Sequence, residues 1–276
     1  IEKGGGNDSL YVGGIEVNGK LLVDSGVSVA SVPSIASEVR ANPAAGFSII
    51  TLSFPSYSGT SSVAHGLNAA PDFWVMKDRD SADGWYVGHK STGAGNYLRL
   101  DLTVGSTAST TIWDNKLPDN NFIYNNGASM SSAGSYVMYA WTAVDGYSAF
   151  GSYTGNGSSD GPFVYTGFKP AFLMIKRIDS ADHWYMYDNE RNGYNPANEQ
   201  LTADLTDAEY SSSSYPSHDF LSNGFKLKTT NIGRNASGGT YIYMAFAENP
   251  FAQDAQTVTT GDTQVALDPL AAIATE

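Results

Sequence analysis

The chain has 276 residues with 28 acidic and 15 basic side chains, a formal charge of −13 that repels phosphate backbones and argues against general nucleic-acid binding. There is no cysteine, so disulfides and thiolate zinc sites are excluded. Charged residues are only 16% of the chain, and Gly, Ser, Thr, Asn and Tyr fill their place, a mixture suited to short strands and tight turns rather than long helices.

The opening "IEKGGG" has neither an initiator Met nor a signal peptide, and the expectation is a mature product or a piece of a longer protein. From Ser9, "SLYVGGIEVNGKLLVDSGV" alternates strand and turn, with Asn18-Gly19 a two-residue hairpin signal. This segment is too small to bury a core of its own and is expected to stack on neighbouring chains or on a preceding segment. "PSIASEVRANP" from Pro33 suggests two helical turns ending before Asn42-Pro43.

Beyond it the chain repeats itself. "PDFWVMKDRDSADGWYVGHK" from Pro71 lies over "PAFLMIKRIDSADHWYMYDN" from Pro170 without a gap. Upstream, the stretch from Gly46 resembles that from Gly146, and downstream "SYVMYAW" ending at Trp141 matches "TYIYMAF" ending at Phe246. Three blocks in the same order mean a tandem duplication. In each copy a strand, the turn residues "DSAD" and a second strand form a hairpin. "SYVMYAW" and "TYIYMAF" read as strands buried on both faces. Thr206 to Glu209, "TDAE", has capping-box spacing for a short helix. The tail from Thr257 is strand-like, then Ala-rich. No apolar run approaches the roughly 20 residues that span a bilayer, so membrane insertion is not expected.

The reading is all-β: two tandem similar β-sandwich domains, residues 46–147 and 148–252, with an N-terminal fibre-like stem over 1–45 and a C-terminal extension over 253–276.

Catalytic motifs are missing. His65, His89, His183 and His218 are scattered without metal-binding spacing, and there is no nucleophile elbow or P-loop. "GNGSSDG" from Gly155 only approaches a nucleotide-binding glycine pattern. Asp78, Asp80 and Asp83 are candidate Ca²⁺ ligands, with turn chemistry the plainer reading. Trp85-Tyr86 and Trp184-Tyr185 recur in both copies. Adjacent strand residues face opposite sides, so Trp is expected inward, and Tyr86 and Tyr185 outward, able to stack on a sugar or a partner. Tyr194 and Tyr215 lie in loops of mixed aromatic and polar character and are further candidate ligand-binding residues. Sequons occur at Asn7, Asn156 and Asn235.

"GSYTGNGSSDGPFVYTGFKPAFLMIKR", "WYMYDNERNGYNP", "DFLSNGFKL" and "NASGGTYIYMAFAENPF" resemble a domain of unknown function found in virion proteins of marine tailed phages, of cyanobacteria and of oceanic heterotrophs. The resemblance runs from about Ala30 to Phe251, and the tail beyond departs from it. "VGGIEVNGKLLV" resembles the glycine-turn repeats of trimeric phage fibres. The resemblance implies a tail-fibre-like virion structural protein, extracellular or on the particle, with no catalytic residue to carry over. The expected partners are copies of itself, other virion proteins and a host-surface glycan, and the expected cofactor is none, with Ca²⁺ the one candidate. Two other classes stay open: a self-assembling extracellular filament with strand exchange between subunits, and a glycan-cleaving tail enzyme.

Overall fold

The computed structural model describes residues 32–54, 59–126, 134–191, 193–211 and 217–250, and the backbone of short strands near both ends. β1 (Ile15–Val17) and β2 (Lys20–Leu22) pair antiparallel with Val17 opposite Lys20, the hairpin that Asn18-Gly19 predicts.

The first difference from expectation is β3 (Ser37–Asn42), a strand where two helical turns are suggested. It pairs along its length with β4 (Phe47–Phe54), Ser37 opposite Leu52 and Asn42 opposite Phe47. Pro43 keeps Asn42 out of the helical region (φ −119°, ψ 88°), and a 3-10 turn over Pro43–Ala45 leads to Gly46 in the left-handed conformation (φ 61°). The ladder to β4 outweighs the modest helical propensity of "SEVRAN".

The first copy continues with β5 (Thr60–Ala64), β6 (Phe73–Asp78), β7 (Trp85–His89), β8 (Asn96–Arg99), β9 (Thr107–Ala108), β10 (Phe122–Asn126) and β11 (Gly134–Trp141). The second has β12 (Ser148–Thr154), β13 (Phe163–Tyr165), β14 (Pro170–Arg177), β15 (Trp184–Asp188), β16 (Glu199–Thr202), β17 (Tyr210–Ser211), β18 (His218–Leu221), β19 (Gly224–Leu227), the helical turn α1 (Ile232–Asn235) and β20 (Thr240–Ala247). In the tail, β21 (Val258–Thr260) pairs with β22 (Thr263–Val265). Thr206 to Glu209 is irregular instead of helical. These residues are exposed, so a helix there would bury nothing, and Glu209 pairs with Arg191.

The duplication is visible in strand order. The main sheet of the first copy runs β3-β4-β11-β6-β7-β8-β9, and that of the second β12-β20-β14-β15-β16-β17. With β3 set aside, each strand of one sheet has its counterpart at the same place in the other. Each copy also has a small sheet, β10-β5 in the first and β13-β19-β18 in the second.

Among the described residues, three apolar cores bind these layers. Val63 and Ile123 of the small sheet pack with Ile50, Trp74, Met76, Tyr136 and Met138 in the first copy. Val164, Phe220, Phe225 and Leu227 pack with Leu173, Tyr187 and Tyr241 in the second. The third core joins the halves: Phe73, Val75 and Val87 meet Met174, Trp184, Ile242 and Met244. The tandem reading leaves out this joint, in which the two main sheets stack on each other. β6 therefore sends Phe73 and Val75 to the joint and Trp74 and Met76 to its own core, as the two-residue period of a strand requires. A strand buried on both faces needs apolar residues at nearly every position.

Matching positions exchange volume between the copies. Trp74 lies opposite Gly88, where a Cβ would come 2.0 Å from Trp74 Cε2. The corresponding pair in the second copy is Leu173 opposite Tyr187. A large residue faces a small one in the first copy, and two residues of closer size share the space in the second, as dense packing demands.

Candidate functional site

The repeated "DSAD" hairpins place the aromatic residues. Lys77 is opposite Trp85 and Lys176 is opposite Trp184. Asp80 Oδ2 accepts from the Ser135 amide at 2.6 Å, and Asp179 Oδ1 accepts from the Thr240 amide at 3.0 Å. These bonds tie each hairpin to the start of the neighbouring strand, β11 or β20, rather than capping the turn locally. The last Asp of each phrase takes the next backbone amide: Asp83 holds Gly84 N at 2.7 Å and Asp182 holds His183 N at 2.9 Å. It also anchors the tyrosine hydroxyl, Tyr86 to Asp83 at 3.3 Å and Tyr185 to Asp182 at 2.5 Å. The local cap of the first hairpin is Asp78, which accepts from Asp80 N, Ser81 N and Ser81 Oγ. The Ser81 hydroxyl holds its carboxyl below the usual carboxylate range. In the second copy Arg177 replaces it and pairs with Asp179.

Asp78, Asp80 and Asp83 thus serve separate backbone contacts and do not converge, and no group of three His, Asp or Glu among the described residues is placed to hold a metal. Asp80→Ala and Asp179→Ala should each lower stability by roughly 0.5–2 kcal/mol in urea unfolding, the range for losing such a bond. Added Ca²⁺ should barely move Tm; a rise of many degrees, abolished by these substitutions, would establish a metal loop instead.

The Trp-Tyr pairs depart from the inward–outward expectation. Trp184 and Tyr185 are both buried, and Trp85 and Tyr86 are both half-buried. Trp184 enters the joint, and Tyr185, at 7% exposure, enters the core of the second copy. Trp85 packs against the joint and Tyr86 against the first-copy core. Tyr194 is 79% exposed. It lines an open cleft of about 450 Å³ with Lys169, Asn189 and Glu248, where Lys169 is neutralised by Glu248 at 2.9 Å. Tyr215 lies outside the described residues.

A second cleft, of about 460 Å³, is lined by Tyr185, Gln200, Tyr210, Asn231 and Arg234. It brings the expected Tyr185 together with Gln200 and Tyr210, at the ends of the loops that carry Tyr194 and Tyr215, and with Asn231 and Arg234, which sequence reasoning missed. Its centre is Arg234, on α1. Asn231 starts that turn by accepting Gly233 N on Oδ1 at 2.9 Å. Tyr153 and Tyr241 hydroxyls bind the carbonyls of Arg234 and Ile232 at 2.8 and 2.5 Å. Asn235, fully buried, donates to the carbonyls of Thr229 and Ser158 at 2.7 and 2.8 Å. The glycine loop from Gly155 is therefore a brace for α1, and the amide of the Asn235 sequon is engaged inside the fold.

So held, the Arg234 guanidinium lies over the Tyr185 ring, 4.6 Å from its centroid. It donates through Nη1 to Gln200 Oε1, which also accepts from the Tyr187 hydroxyl at 3.0 Å. Arg234 is only 7% exposed, and its Nε is buried without a partner among the described residues. Arg99, Arg177 and Arg191 each hold a carboxylate, and Arg234 holds none among the described residues. Burial, then the bond to Asp182, raises the pKa of Tyr185 and keeps its hydroxyl protonated. The first copy repeats the stack with a different outcome. Arg99 lies 5.0 Å from the Tyr86 centroid, and Asp101 neutralises it through two bonds of 3.0 and 2.8 Å. The sequence signal for the second stack is the Asn231 cap before "IGRN", hidden in a stretch that reads as turn.

His65, His89 and His218 are fully buried, and His183 meets Asp204 at 2.7 Å. No helix among the described residues is long and apolar enough to cross a membrane. Residues 23–250 match the model of a family described as a domain of unknown function, DUF7483. Nothing among curated proteins and nothing among solved structures matches the chain.

Proposed function

The chain belongs to the DUF7483 family, and we propose that it is a structural, adhesive module of a virion, fibre-like and oligomeric, which binds a host surface. The observation that carries this reading is the Arg234 cleft: an open site with aromatic rings, amides and a cation, mounted on stacked sheets. Loops and short elements on a rigid β scaffold suit recognition. Weak sites become effective when an oligomer presents several at once. The resemblance of the repeated phrases to marine phage virion domains supplies the setting. Labelled protein should be retained by intact cells of at least one marine bacterium, and light scattering should give a mass above that of the monomer. A monomer that adheres to no cell surface tested would overturn the proposal.

One observation favours the filament as a second reading. β3 covers the outer edge of β4, whereas the equivalent edge of β12 pairs with no described strand. An open edge accepts a strand from another chain. Open-ended filaments in electron micrographs, lost on deletion of residues 1–27, would favour this reading over a closed fibre.

A further inference from the structure

Resting on the adhesive reading, we infer that the Arg234 cleft is a binding site for an acidic sugar of the hexuronate class, with Arg234 taking the carboxylate. A buried cation without a counter-charge is unfavourable unless something compensates it. The internal comparison sharpens this point. Both copies stack an arginine on the repeated tyrosine, but the first provides Asp101 to its arginine and the second provides no described carboxylate. Asp182, whose carboxylate lies beside Gly233 with Oδ1 accepting from the Tyr185 hydroxyl and the His183 amide, forms no ion pair with Arg234 among the described residues, so its charge offsets the guanidinium only in part. The Arg234 guanidinium lines the cleft, its shielded Nε has no partner among the described residues, and the geometry of this planar group suits a carboxylate.

The other lining residues fit the rest of a sugar. The carbonyl of Gln200 is committed to Tyr187 and Arg234, and that of Asn231 to Gly233, which leaves each NH₂ as a donor for ring hydroxyls. Tyr210, 54% exposed, offers an aromatic face on which the C–H side of a pyranose can lie. A volume of about 460 Å³ suits one or two sugar units. A bare anion would leave Tyr210 unused, and a neutral sugar would leave Arg234 uncompensated. With a chain charge of −13, long-range steering opposes an acidic ligand, so the attraction must be local to the cleft.

The test is calorimetric titration of the whole chain with trigalacturonate, with its fully methyl-esterified form and with sodium acetate. A charge-assisted pair contributes about 1.5–3 kcal/mol, so trigalacturonate should bind at least about tenfold more tightly than either control. Arg234→Met should lose at least about tenfold, and the surface variant Tyr210→Ala, which does not threaten folding, several-fold. Arg99→Met, at the neutralised counterpart, should leave affinity unchanged. Equal affinity for the ester, equal affinity for acetate, indifference to both Arg234→Met and Tyr210→Ala, or no binding of trigalacturonate or a glucuronate trisaccharide would each overturn the assignment. If these fail while labelled protein still adheres to cells, the site falls and the adhesive reading stands. If the sugar binds and no cell does, the site stands and the adhesive reading falls.

Discussion

Trp184→Ala is expected to lower the unfolding free energy by about 3–5 kcal/mol, the range for emptying a buried tryptophan site. Trp184 is 1% exposed in the joint between the halves, and its ring meets Phe73 edge-on with centroids 6.5 Å apart. Its indole N–H donates to the Arg99 carbonyl at 2.8 Å, across the duplication. A polar seam runs beside it. Lys176 Nζ, over the same ring, donates to the Thr103 carbonyl at 2.9 Å and the Asp182 carbonyl at 2.6 Å. Burial pushes that lysine down to about 8. Because the joint draws side chains from both copies, the wild-type protein should unfold in one urea transition, and Trp184→Ala should shift it to much lower urea. Trp85→Ala should lose less, since Trp85 is only partly buried. A loss under about 1 kcal/mol for Trp184→Ala, or separate transitions for the halves in the wild type, would show that the joint does not couple them.

Between pH 7 and pH 5 the protein should lose on the order of 4 kcal/mol of stability, about half of it through His218. The His218 ring is fully buried between Tyr187 and Phe220, with centroids at 4.6 and 4.5 Å, and neither nitrogen has a partner among the described residues. Burial, and then the nearby Arg234 charge, push its pKa down to about 3. Burial, and then Lys90, push His89 down to about 4. A histidine with a depressed folded pKa stabilises the fold above its unfolded value of 6.5. Below that value the unfolded chain takes up a proton that the folded chain refuses. Stability then falls by about 1.4 kcal/mol per pH unit for each such ring, until the folded pKa is reached. The paired aspartates also have depressed values, but their contribution is lost only below about pH 4, so the window from 6.5 to 5 belongs to the histidines. His218→Phe keeps an aromatic ring and should roughly halve the slope there. An unchanged slope in urea unfolding at pH 7, 6 and 5 would refute this origin.

Much of the fold is legible in particular residues. The two "DSAD" phrases mark corresponding turns, and the runs ending at Trp141 and Phe246 become β11 and β20, adjacent to β6 and β14 in their sheets. The helix suggested before Asn42-Pro43 is not found, because an edge strand is stabilised by a partner, β4, that local propensity does not contain. Tyr185 is visible as part of a repeated pair, but its setting is not. Alternation tells that Trp184 and Tyr185 face opposite ways, and only the stacking of a second sheet makes both ways interior.

The all-β character, the repeat and the turns are set by composition, period and neighbouring residues, and so they can be read along the chain. Whether two similar halves stand apart or share a core was decided by tertiary structure, since an apolar strand face carries no label for the surface that will cover it. The same is true of the cleft. Arg99 and Arg234 are equally charged in the sequence, and Asp101 lies two places from the first. That the second is braced over Tyr185, buried and left without a described carboxylate depends on α1, β15 and β16 meeting in space.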